Sequence, residues 1–434
     1  MHVWRRMRML LLAVVHATLL MHVYVHAEPD NLGFVSIDCG LSDPPHVDMV
    51  TNISYVSDDA YIATGEKHDI SSGYPWQYKA DRSLRSFPSG GRNCYTIPSA
   101  ARGRKYLVRA RFMHGDYDGG GKSLAVKPVK FDLNIGLDFW YKVTVSDAAI
   151  PYTAEAIAVT VASSLSVCLL DTGHGTPFIS SLELRPMGSD MYTDATANQS
   201  LGLVTRINMG GAANTLRYPN DTHDRFWWSQ VYIDITPSHN ISTNDTRGMN
   251  YYSNDYIYVP EDVLRTAVTT SATSVPLNIT QSPNWPTDWT YFHFLHFANF
   301  EQQLRQLDIY YGKNKWEYSP LSLSSMQPTY SPIVASLCNI SIVATNTSVL
   351  PPMLNAIEIY FGIPRNDSAT SPDDVDAIMA IKTQYQVKKN WMGDPCLPKE
   401  SLWTGLQCRQ DGVESKIISL DLSYSNLHGA VSAS

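Results

Sequence analysis

Two glycine-rich loops contain the side chains whose types and spacing could support chemistry. The first is Met113-His-Gly-Asp-Tyr-Asp-Gly-Gly-Gly121, and the second is Asp171-Thr-Gly-His-Gly-Thr-Pro177. The acids of the first loop could suit calcium, but its twelfth position is Lys127, where a calcium loop has a bidentate Glu. His174 in the second loop has no Cys or second His at metal-ligand spacing. We therefore expect no metal site in either loop.

The chain does not contain the sequence motifs of common catalytic sites. Neither a Gly-x-Ser-x-Gly elbow nor a complete phosphate-binding loop occurs. Adjacent carboxylates occur at Asp58/Asp59 and Asp373/Asp374, a pattern that is usually solvated surface. A glycoside hydrolase needs two carboxylates about 5–10 Å apart across a cleft, and no acid couple stands out. We expect no catalysis and no cofactor, with a secreted glycoside hydrolase as the remote alternative.

Aromatic residues are the other candidates for a binding role. The chain has 25 Tyr and 10 Trp, with clusters at Phe226-Trp-Trp228 and from Trp285 to Trp289. Tyr and Trp suit wet recognition surfaces because a flat apolar face comes with a polar tip. Large aromatic residues are also often buried in cores. The two clusters are therefore either core or a stacking platform.

The elements that must position these loops come in two copies. Phe131-Asp-Leu-Asn-Ile-Gly136 followed by Trp140 matches Leu307-Asp-Ile-Tyr-Tyr-Gly312 followed by Trp316, at an offset of 176 residues. Three further pairs keep the same order at nearly the same offset, and they are Ile37–Gly40 with Ile207–Gly210, Tyr106–Phe112 with Tyr291–Phe297, and Pro177–Leu184 with Pro352–Ile359. The sequence therefore predicts a duplicated domain, with an extra loop from Gly115 to Val129 in the first copy.

Each repeated block alternates apolar and polar residues. Phe131, Leu133 and Ile135 show the period of two that places one face of a strand in a core. Short alternating runs between Gly, Pro, Asn and Asp turns are typical of a β-sandwich or barrel. Each copy has about 160 residues, which is enough for a core of its own.

The start of the chain indicates an exported protein, and the net charge limits the class of partner. Arg5, Arg6 and Arg8 precede an apolar run and the small residues of Val25-His-Ala27, which is the plan of a signal peptide cleaved after Ala27. An uncleaved anchor is the alternative. The net charge of −8 argues against a nucleic-acid partner, which would need a basic surface.

Glycosylation motifs agree with export through the secretory pathway. Nine Asn-x-Ser/Thr sequons predict a glycosylated surface. Their asparagines are Asn52, Asn198, Asn220, Asn240, Asn244, Asn278, Asn339, Asn346 and Asn366.

The six cysteines suit a disulfide framework. Cys396 and Cys408 are close in sequence, and we expect them to pair. Cys39, Cys94, Cys168 and Cys338 remain, with three possible connectivities.

The C-terminal residues predict a capped helix and one leucine-rich repeat. Ser371 suits the N-cap of a helix, Pro372 its first position, and Asp374 a capping box. Ile417, Leu420, Leu422 and Leu427 follow leucine-rich-repeat spacing. A disulfide-bonded helix before such a repeat is typical of a cap that covers the end of a solenoid core.

These motifs resemble those in the extracellular region of plant malectin-like, leucine-rich-repeat receptor kinases. The resemblance covers the whole chain, and its most specific motif is the Gly-Asp-Pro-Cys in Trp391–Cys396. The motifs that carry it are Gly33-Phe-Val-Ser-Ile-Asp-Cys-Gly40, Asn93-Cys-Tyr95, the two-copy pattern, Trp391-Met-Gly-Asp-Pro-Cys396 and Trp403-Thr-Gly-Leu-Gln-Cys408.

The resemblance implies a mainly β chain of two tandem malectin-like β-sandwich lobes of jelly-roll type. A short helix-containing cap and one incomplete leucine-rich repeat follow. The expected organisation is a signal peptide at 1–27, lobe 1 at 32–188, lobe 2 at 200–364, a disulfide-bonded helical cap at 371–412 and a truncated first repeat at 413–434. The kinase of such receptors is not in this sequence, so the resemblance also implies a chain that is not an enzyme.

The resemblance also implies candidate ligand-binding residues. The aromatic pair that animal malectin uses to bind sugar falls near Asp116 and Tyr117 in the first copy and near Asn299 and Phe300 in the second. Its acid falls near Thr176, and Asp171 is the nearest carboxylate. The sugar site is thus partly retained, and a peptide ligand is a comparable expectation.

We therefore expect an extracellular or cell-surface ligand-binding region that recognises cell-wall carbohydrate or a secreted peptide, with a possible co-receptor. A soluble decoy of a receptor kinase is the alternative hypothesis.

Overall fold

The computed structural model describes most of the chain from residue 33 onward. The described residues are 33–70, 81–98, 100–211, 215–229, 233–245, 257–281, 285–324, 329–336, 339–365, 369–387, 389, 391–412, 414–423, 425 and 427. The expected signal peptide, Asn366 and Cys338 lie outside them.

Lobe 1 is built from thirteen strands and two 3₁₀ turns in the described residues. The strands are β1 (Val35–Asp38), β2 (His46–Val47), β3 (Ser54–Ser57), β4 (Glu66–Asp69), β5 (Ser83–Ser86), β6 (Arg92–Ile97), β7 (Lys105–Phe112), β8 (Val129–Ile135), β9 (Asp138–Val145), β10 (Tyr152–Val159), β11 (Leu165–His174), β12 (Phe178–Ile179) and β13 (Ser181–Met187). The 3₁₀ turns cover Asp58–Ala60 and Gly121–Ser123.

Lobe 2 repeats this plan with thirteen described strands and one short helix. The strands are β14 (Gln199–Asn208), β15 (Asp234–Thr236), β16 (His239–Ser242), β17 (Thr266–Thr269), β18 (Leu277–Thr280), β19 (Tyr291–Phe297), β20 (Arg305–Tyr311), β21 (Asn314–Lys315), β22 (Leu321–Leu323), β23 (Thr329–Ala335), β24 (Ile340–Ala344), β25 (Met353–Leu354) and β26 (Ala356–Pro364). The helix α1 covers Glu261–Leu264.

One ten-stranded sheet runs through both lobes. Its order is β2-β3-β1-β13-β7-β10-β14-β26-β19-β23, so the last four strands repeat the β1-β13-β7-β10 order of lobe 1. The lobes join where β10 pairs with β14, through Ala156↔Gly202 and Ile157↔Leu201. The lobes therefore share backbone hydrogen bonds across their junction.

The strand register confirms the duplication. In lobe 1, Ile37 pairs with Leu182, which pairs on its other side with Ala110. In lobe 2, Ile207 pairs with Ile357, which pairs with Leu295. These are equivalent positions of the repeated sequence blocks, so the two copies have the same register.

Two glycines at equivalent positions of the repeated blocks lie where no other residue would fit. Gly40 and Gly210 both have positive φ, at +80° and +71°, which favours glycine. A Cβ at Gly40 would lie 2.0 Å from the Leu84 carbonyl oxygen, and one at Gly210 would lie 2.6 Å from that of Ala267. Both glycines therefore allow the same close approach of strands in their lobe.

The second layer of each sandwich is a separate sheet. In lobe 1 it has the order β6-β11-β8-β9, and in lobe 2 the order β15-β18-β24-β20-β21, with β22 also paired to β20. Two three-stranded sheets, β12-β5-β4 and β16-β17-β25, complete the lobes. The predicted mainly β fold of two sandwich lobes is confirmed.

The cysteine pairing is partly as expected. Cys94 bonds to Cys168 across β6 and β11. The equivalent positions of lobe 2 are occupied by Ser341 and Asn278. The Ser341 hydroxyl donates a hydrogen bond to Asn278 Oδ1 at 2.8 Å. Cys39, expected within the disulfide framework, instead has a free thiol that is buried in the lobe 1 core.

Both faces of the ten-stranded sheet are buried. On β7, Tyr106, Val108 and Ala110 face the sandwich core, and Leu107 belongs to a second apolar cluster on the opposite, outer face. Met191 and Tyr192 from the connection between the lobes cover that outer face together with residues between β14 and β17 of lobe 2, such as Trp227 and Val263. Of the first aromatic cluster, Phe226 and Trp227 are core residues, as one of the two alternatives predicted.

The outer face also contains an extended set of buried ion pairs. Arg109 bonds to Glu155 and Glu183 at 2.7 Å and to Asp224 at 3.1 Å. Arg206 of lobe 2 bonds to the same Glu155 at 2.7 Å. We name this set the junction network, and its charged members are Arg109, Glu155, Glu183, Arg185, Arg206, Arg217, Asp221, Asp224, Arg225 and Glu358.

The junction network is neutral as a whole, because five arginines face five carboxylates. Burial alone would raise the pKa of Glu183, but Arg185, Arg109 and Arg217 lower it to about 2. The pKa of Glu358 is lowered by Arg206 and His296 against the same effect of burial. Glu183 and Glu358 therefore remain charged in a place where unpaired charges would be very unfavourable.

A small C-terminal unit follows lobe 2. Helix α2 (Pro372–Gln384) starts at Ser371 with proline in its first turn, as predicted. The predicted capping box is wrong, because Ser371 makes no side-chain cap bond and Asp374 Oδ2 accepts the Ile417 amide at 2.7 Å instead. The Asp374 carboxylate therefore connects the helix to the strand that follows the disulfide.

The remaining described part of this unit is a short 3₁₀ turn and a hairpin. These elements are Lys399–Ser401, β27 (Leu406–Asp411) and β28 (Glu414–Leu420). The expected Cys396–Cys408 disulfide is confirmed. Ile417, Leu420 and Leu422 pack on a cluster that contains Trp391 and Trp403, whereas Leu427 is exposed.

The C-terminal unit docks on lobe 1. Gly393, with φ +68°, lies so close to the Cys94–Cys168 disulfide that a Cβ would be 2.9 Å from Cys94 Sγ. Arg92 donates to the Leu397 carbonyl at 3.1 Å and to the Gly136 carbonyl at 2.7 Å. The Gly-Asp-Pro-Cys motif thus makes a close contact with the first lobe.

Among the residues that the structure describes, no helix is both long and apolar enough to span a membrane.

We predict that Arg109→Met lowers the free energy of unfolding by about 3–5 kcal/mol, because it leaves buried carboxylates without a partner. For a chain of about 400 residues this corresponds to a fall in Tm of roughly 4–6 °C. Arg102→Met is the matched control, since Arg102 pairs with the exposed Asp373 and such pairs contribute less than about 1 kcal/mol. Differential scanning calorimetry measures both, and equal shifts would contradict the role assigned to the junction network.

We predict that stability falls as pH drops from 7 to 5. Burial lowers the pKa of His293 to about 4, so the native state binds fewer protons than the unfolded state, where His titrates near 6.5. The loss from His293 at pH 5 is about 2 kcal/mol. In thermal melts, His293→Gln should reduce this pH dependence and the exposed His239→Gln should not.

We predict that Gly393→Ala loosens the C-terminal unit from lobe 1, because the added methyl has no room against the disulfide. Gly412→Ala is the matched control, since Gly412 has the same φ of +68° and no atom within 4 Å of its Cβ position. Amide hydrogen exchange of α2 should accelerate in Gly393→Ala only. Unchanged exchange in Gly393→Ala would show that this contact does not hold the unit.

Candidate ligand-binding site

The loop between β7 and β8 places Tyr117 in a group of rings. The Tyr117 ring lies 4.8 Å from His68, 5.0 Å from His114 and 5.9 Å from Phe178, measured between centroids. Burial, together with the nearby Asp118 and Glu66, raises the pKa of the Tyr117 phenol to about 12. The half-buried Tyr117 is therefore a neutral ring that its neighbours hold in place.

Asp116 shapes this loop. It has a positive φ of 55°, and its Oδ1 accepts the Gly121 amide at 2.6 Å. Asp118 Oδ1 accepts the Gly120 amide at 2.8 Å in the same way. Both carboxylates thus hold backbone amides of the glycine run. No cluster of metal-ligating side chains is found among the described residues.

The His114 side chain supports the loop through a hydrogen bond. Its side chain is buried, and its Nδ1 accepts the Asp116 amide at 3.1 Å. Burial lowers the pKa of His114, so the ring is neutral at pH 7 and can accept this bond. Gly115 lies beside Ile70 so closely that a Cβ would be 1.9 Å from it.

Asp171 lies near the end of β11 and is exposed. Its Oδ1 accepts the Gly173 amide at 2.7 Å, at a bulge after which His174 pairs with Lys130. Asp171 pairs in register with Phe131, whose ring packs on Phe178. The ring contacts of Tyr117 given above do not involve Asp171.

The equivalent residues of lobe 2 are closed into their own loop. Asn299 is buried, donates to the Gln303 carbonyl at 3.1 Å and accepts the Glu301 amide at 3.2 Å. Phe300 is half-buried and packs against both apolar clusters of the sheet. This loop is nine residues shorter than its lobe 1 counterpart, since it covers 298–304 instead of 113–128.

Sequence reasoning missed the residues that hold Tyr117. His68 and Phe178 come from strands far from the loop in sequence, and no motif connects them with it. His114 had a signal, because a histidine before a glycine at the end of a buried strand suits a loop support. Its role became visible only with the contact to Asp116.

The sequon asparagines in the described residues are accessible. Asn278 is half-buried and lies beside Ser341, and the others are exposed. The exposed ones are Asn52, Asn198, Asn220, Asn240, Asn244, Asn339 and Asn346.

A cleft between lobe 1 and helix α2 has a volume of about 810 Å³. Among its described lining residues, Asp59 is the one carboxylate, and it pairs with Lys67 at 2.7 Å. The described lining of that cleft therefore lacks the pair of carboxylates that a glycoside hydrolase requires.

Comparison with protein families gives one match over most of the chain. The profile of the malectin-like domain family matches residues 37–362, which covers both lobes.

Comparison with curated proteins finds receptor-like kinases of Arabidopsis thaliana. The probable LRR receptor-like serine/threonine-protein kinase At1g05700 is 37% identical over 418 residues, which is 93% of this chain and 47% of that protein. The putative leucine-rich repeat receptor-like protein kinase At2g19210 is 35% identical over 93% of this chain and 46% of that protein. The chain thus spans about half the length of these relatives.

Comparison with solved structures finds the same two-lobe fold. The plant receptor-like kinase FER has a TM-score of 0.63 at 18% identity, covering 76% of this chain and 96% of that one. The ANX2 ectodomain from Arabidopsis thaliana also has a TM-score of 0.63 at 18% identity, covering 76% and 97%. At this identity the likeness shows the fold alone.

Proposed function

The chain belongs to the malectin-like domain family, and we propose that it is the extracellular ligand-binding region of a receptor-like protein. The observation that carries this proposal is the alignment of 93% of the chain with about half of each receptor-like kinase that it matches. The other half of such a protein would contain its kinase. Catalysis would then belong to that half, and the two lobes would serve recognition.

We propose that the ligand is a secreted peptide or a cell-wall carbohydrate, bound together with a co-receptor. A solved complex of FER with the peptide RALF23 and LLG2 has a TM-score of 0.59 to this chain, which supports the fold as a peptide-binding scaffold. The ring group around Tyr117 supports a carbohydrate, because the apolar C–H face of a sugar packs on an aromatic ring.

The proposed setting is the cell surface. Seven exposed sequon asparagines and two disulfides suit passage through an oxidising secretory compartment. Tyr117, with Asp116 on the same loop and Asp171 near the end of β11, remains the proposed binding region of lobe 1.

The test is a glycan array together with titration by secreted peptides, using protein from a secretory host that adds N-glycans. We expect binding in at least one of these classes. Tyr117→Ala should weaken carbohydrate binding if the lobe 1 loop is the site, and Tyr318→Ala, which removes a ring 66% exposed elsewhere on lobe 2, should not. Folded protein that binds neither class would overturn the proposal.

A further inference from the structure

A second cleft lies at the junction of the lobes and has a volume of about 510 Å³. Its floor is the fused sheet, at Thr153–Glu155 of β10 and at Leu203 and Val204 of β14. One wall is β9 of lobe 1, and the other is the segment from Trp285 to Tyr291 of lobe 2. The cleft exists because the first sheets join across the lobes, whereas β9 and β15 end the two second sheets without pairing to each other.

Aromatic rings line both walls. On the lobe 1 wall, Phe139 is 43% exposed and Tyr141 is 42% exposed. On the lobe 2 wall, Trp285 and Trp289 are half-buried. Trp285 and Trp289 also pack against the sandwich core, whereas Phe139 and Tyr141 are exposed. A cleft lined by apolar rings on facing walls is typical of a small-ligand site.

The rings are supported from behind. Trp285 stacks on Tyr291 at 5.8 Å, and the Tyr291 hydroxyl donates to the Pro286 carbonyl at 2.9 Å. Trp289 packs on Phe361 at 4.5 Å between centroids. These contacts fix the rings before any ligand arrives, which lowers the entropy cost of binding.

The strand register explains the exposure on β9. Its pairing with β8 joins Leu133 to Tyr141 and Asn134 to Phe139, so the ladder skips Trp140. Trp140 is buried, and its indole N–H donates to the Glu155 carbonyl at 3.3 Å. One aromatic residue thus anchors the strand to the floor while its two neighbours remain at the cleft.

The cleft offers little free charge. The Glu155 carboxylate lies on the outer face of the sheet, where Arg109 and Arg206 each bond to it at 2.7 Å. Among the described lining residues, the remaining charged side chain is the exposed Lys142. An apolar slot with flat rings and almost no free charge suits an uncharged ligand with flat apolar faces and hydroxyl edges.

We propose that the junction cleft binds a short neutral oligosaccharide, stacked between Phe139 and Tyr141 on one side and Trp285 and Trp289 on the other. Its volume lies in the range of roughly 300–1,000 Å³ that is typical of small-ligand sites. This inference rests on the proposed function and names the ligand class and the place. It requires both lobes, since each contributes one wall.

The test is isothermal titration calorimetry of the complete glycosylated chain with cellotetraose and xylotetraose as neutral probes. Trigalacturonate is the charged probe, and an extended peptide library tests strand addition to the open edge of β9. We expect the neutral probes to bind. Phe139→Ala and Tyr141→Ala should each weaken that binding roughly 3- to 10-fold, the loss of one stacking contact.

Two further variants locate the site. Tyr318→Ala is the matched control for an exposed ring and should bind like the parent protein. Tyr117→Ala tests the lobe 1 loop as the other possible place, and we expect it to weaken binding of the neutral probes less than Tyr141→Ala does. If Tyr117→Ala abolishes binding and Tyr141→Ala does not, the sugar lies in the lobe 1 loop and the junction cleft is overturned, while the proposed function stands.

The other outcomes also distinguish failure of the cleft proposal from failure of the proposed function. Preference for trigalacturonate, or competition of peptides with the neutral probes through β9, would overturn the neutral class. Peptide binding without any sugar binding would overturn the cleft proposal and leave the proposed function intact. A folded chain that binds no probe of any class would overturn both.

Discussion

The arrangement of the two lobes depends on the cost of burying charge. Ten ionised groups lie on the outer face of one sheet, away from water, and each is acceptable only while its partners are in place. Arg109 and Glu155 come from strands of lobe 1, Arg206 and Glu358 from strands of lobe 2, and Asp224 from the segment between β14 and β15 of lobe 2. A rotation of one lobe against the other would separate these partners and break the β10–β14 ladder at the same time. The ion pairs and the strand ladder therefore both oppose a rotation of one lobe against the other.

The duplicated lobes have kept their backbone and changed their side chains. Glu183 and Glu358 occupy equivalent positions and are both buried, although Arg109 opposes the first and Phe294 the second in the pairing register. The disulfide of lobe 1 is replaced by the Ser341–Asn278 hydrogen bond in lobe 2. The long loop that carries Tyr117 is present in lobe 1 alone. Lobe 1 therefore has the more open loop surface, whereas the corresponding loop of lobe 2 is closed around Asn299.

The sequence predicted those features of the fold that follow from the pattern of residues close together in the chain or from the repeated blocks. Alternation in blocks such as Phe131–Ile135 predicted strands, the repeated blocks predicted the twin lobes, and Ser371-Pro372 predicted the start of α2. It did not predict the junction network, because Arg109, Glu155 and Arg206 are far apart in sequence and each looks like an ordinary strand-surface charge. The capping box failed for a related reason. Asp374 bonds to the Ile417 amide, a tertiary contact that outcompetes the local one. Tyr117 stays a predicted binding residue, and the sequence did not predict its supports His68 and Phe178 because they are far from it along the chain.

The junction of two duplicated lobes can form a binding site that neither lobe has alone. The first sheets of the two lobes fuse edge to edge, so their spacing is fixed by the backbone hydrogen-bonding distance of about 4.8 Å. The second sheets lie above them and end in β9 and β15, which do not pair with each other in the described structure. A gap lies above the junction, and Trp285 and Trp289 pack against the core on one side of it. Phe139 and Tyr141 line the other side and remain 43% and 42% exposed. A ligand would account for these two exposed apolar rings, whereas the packing of the core does not.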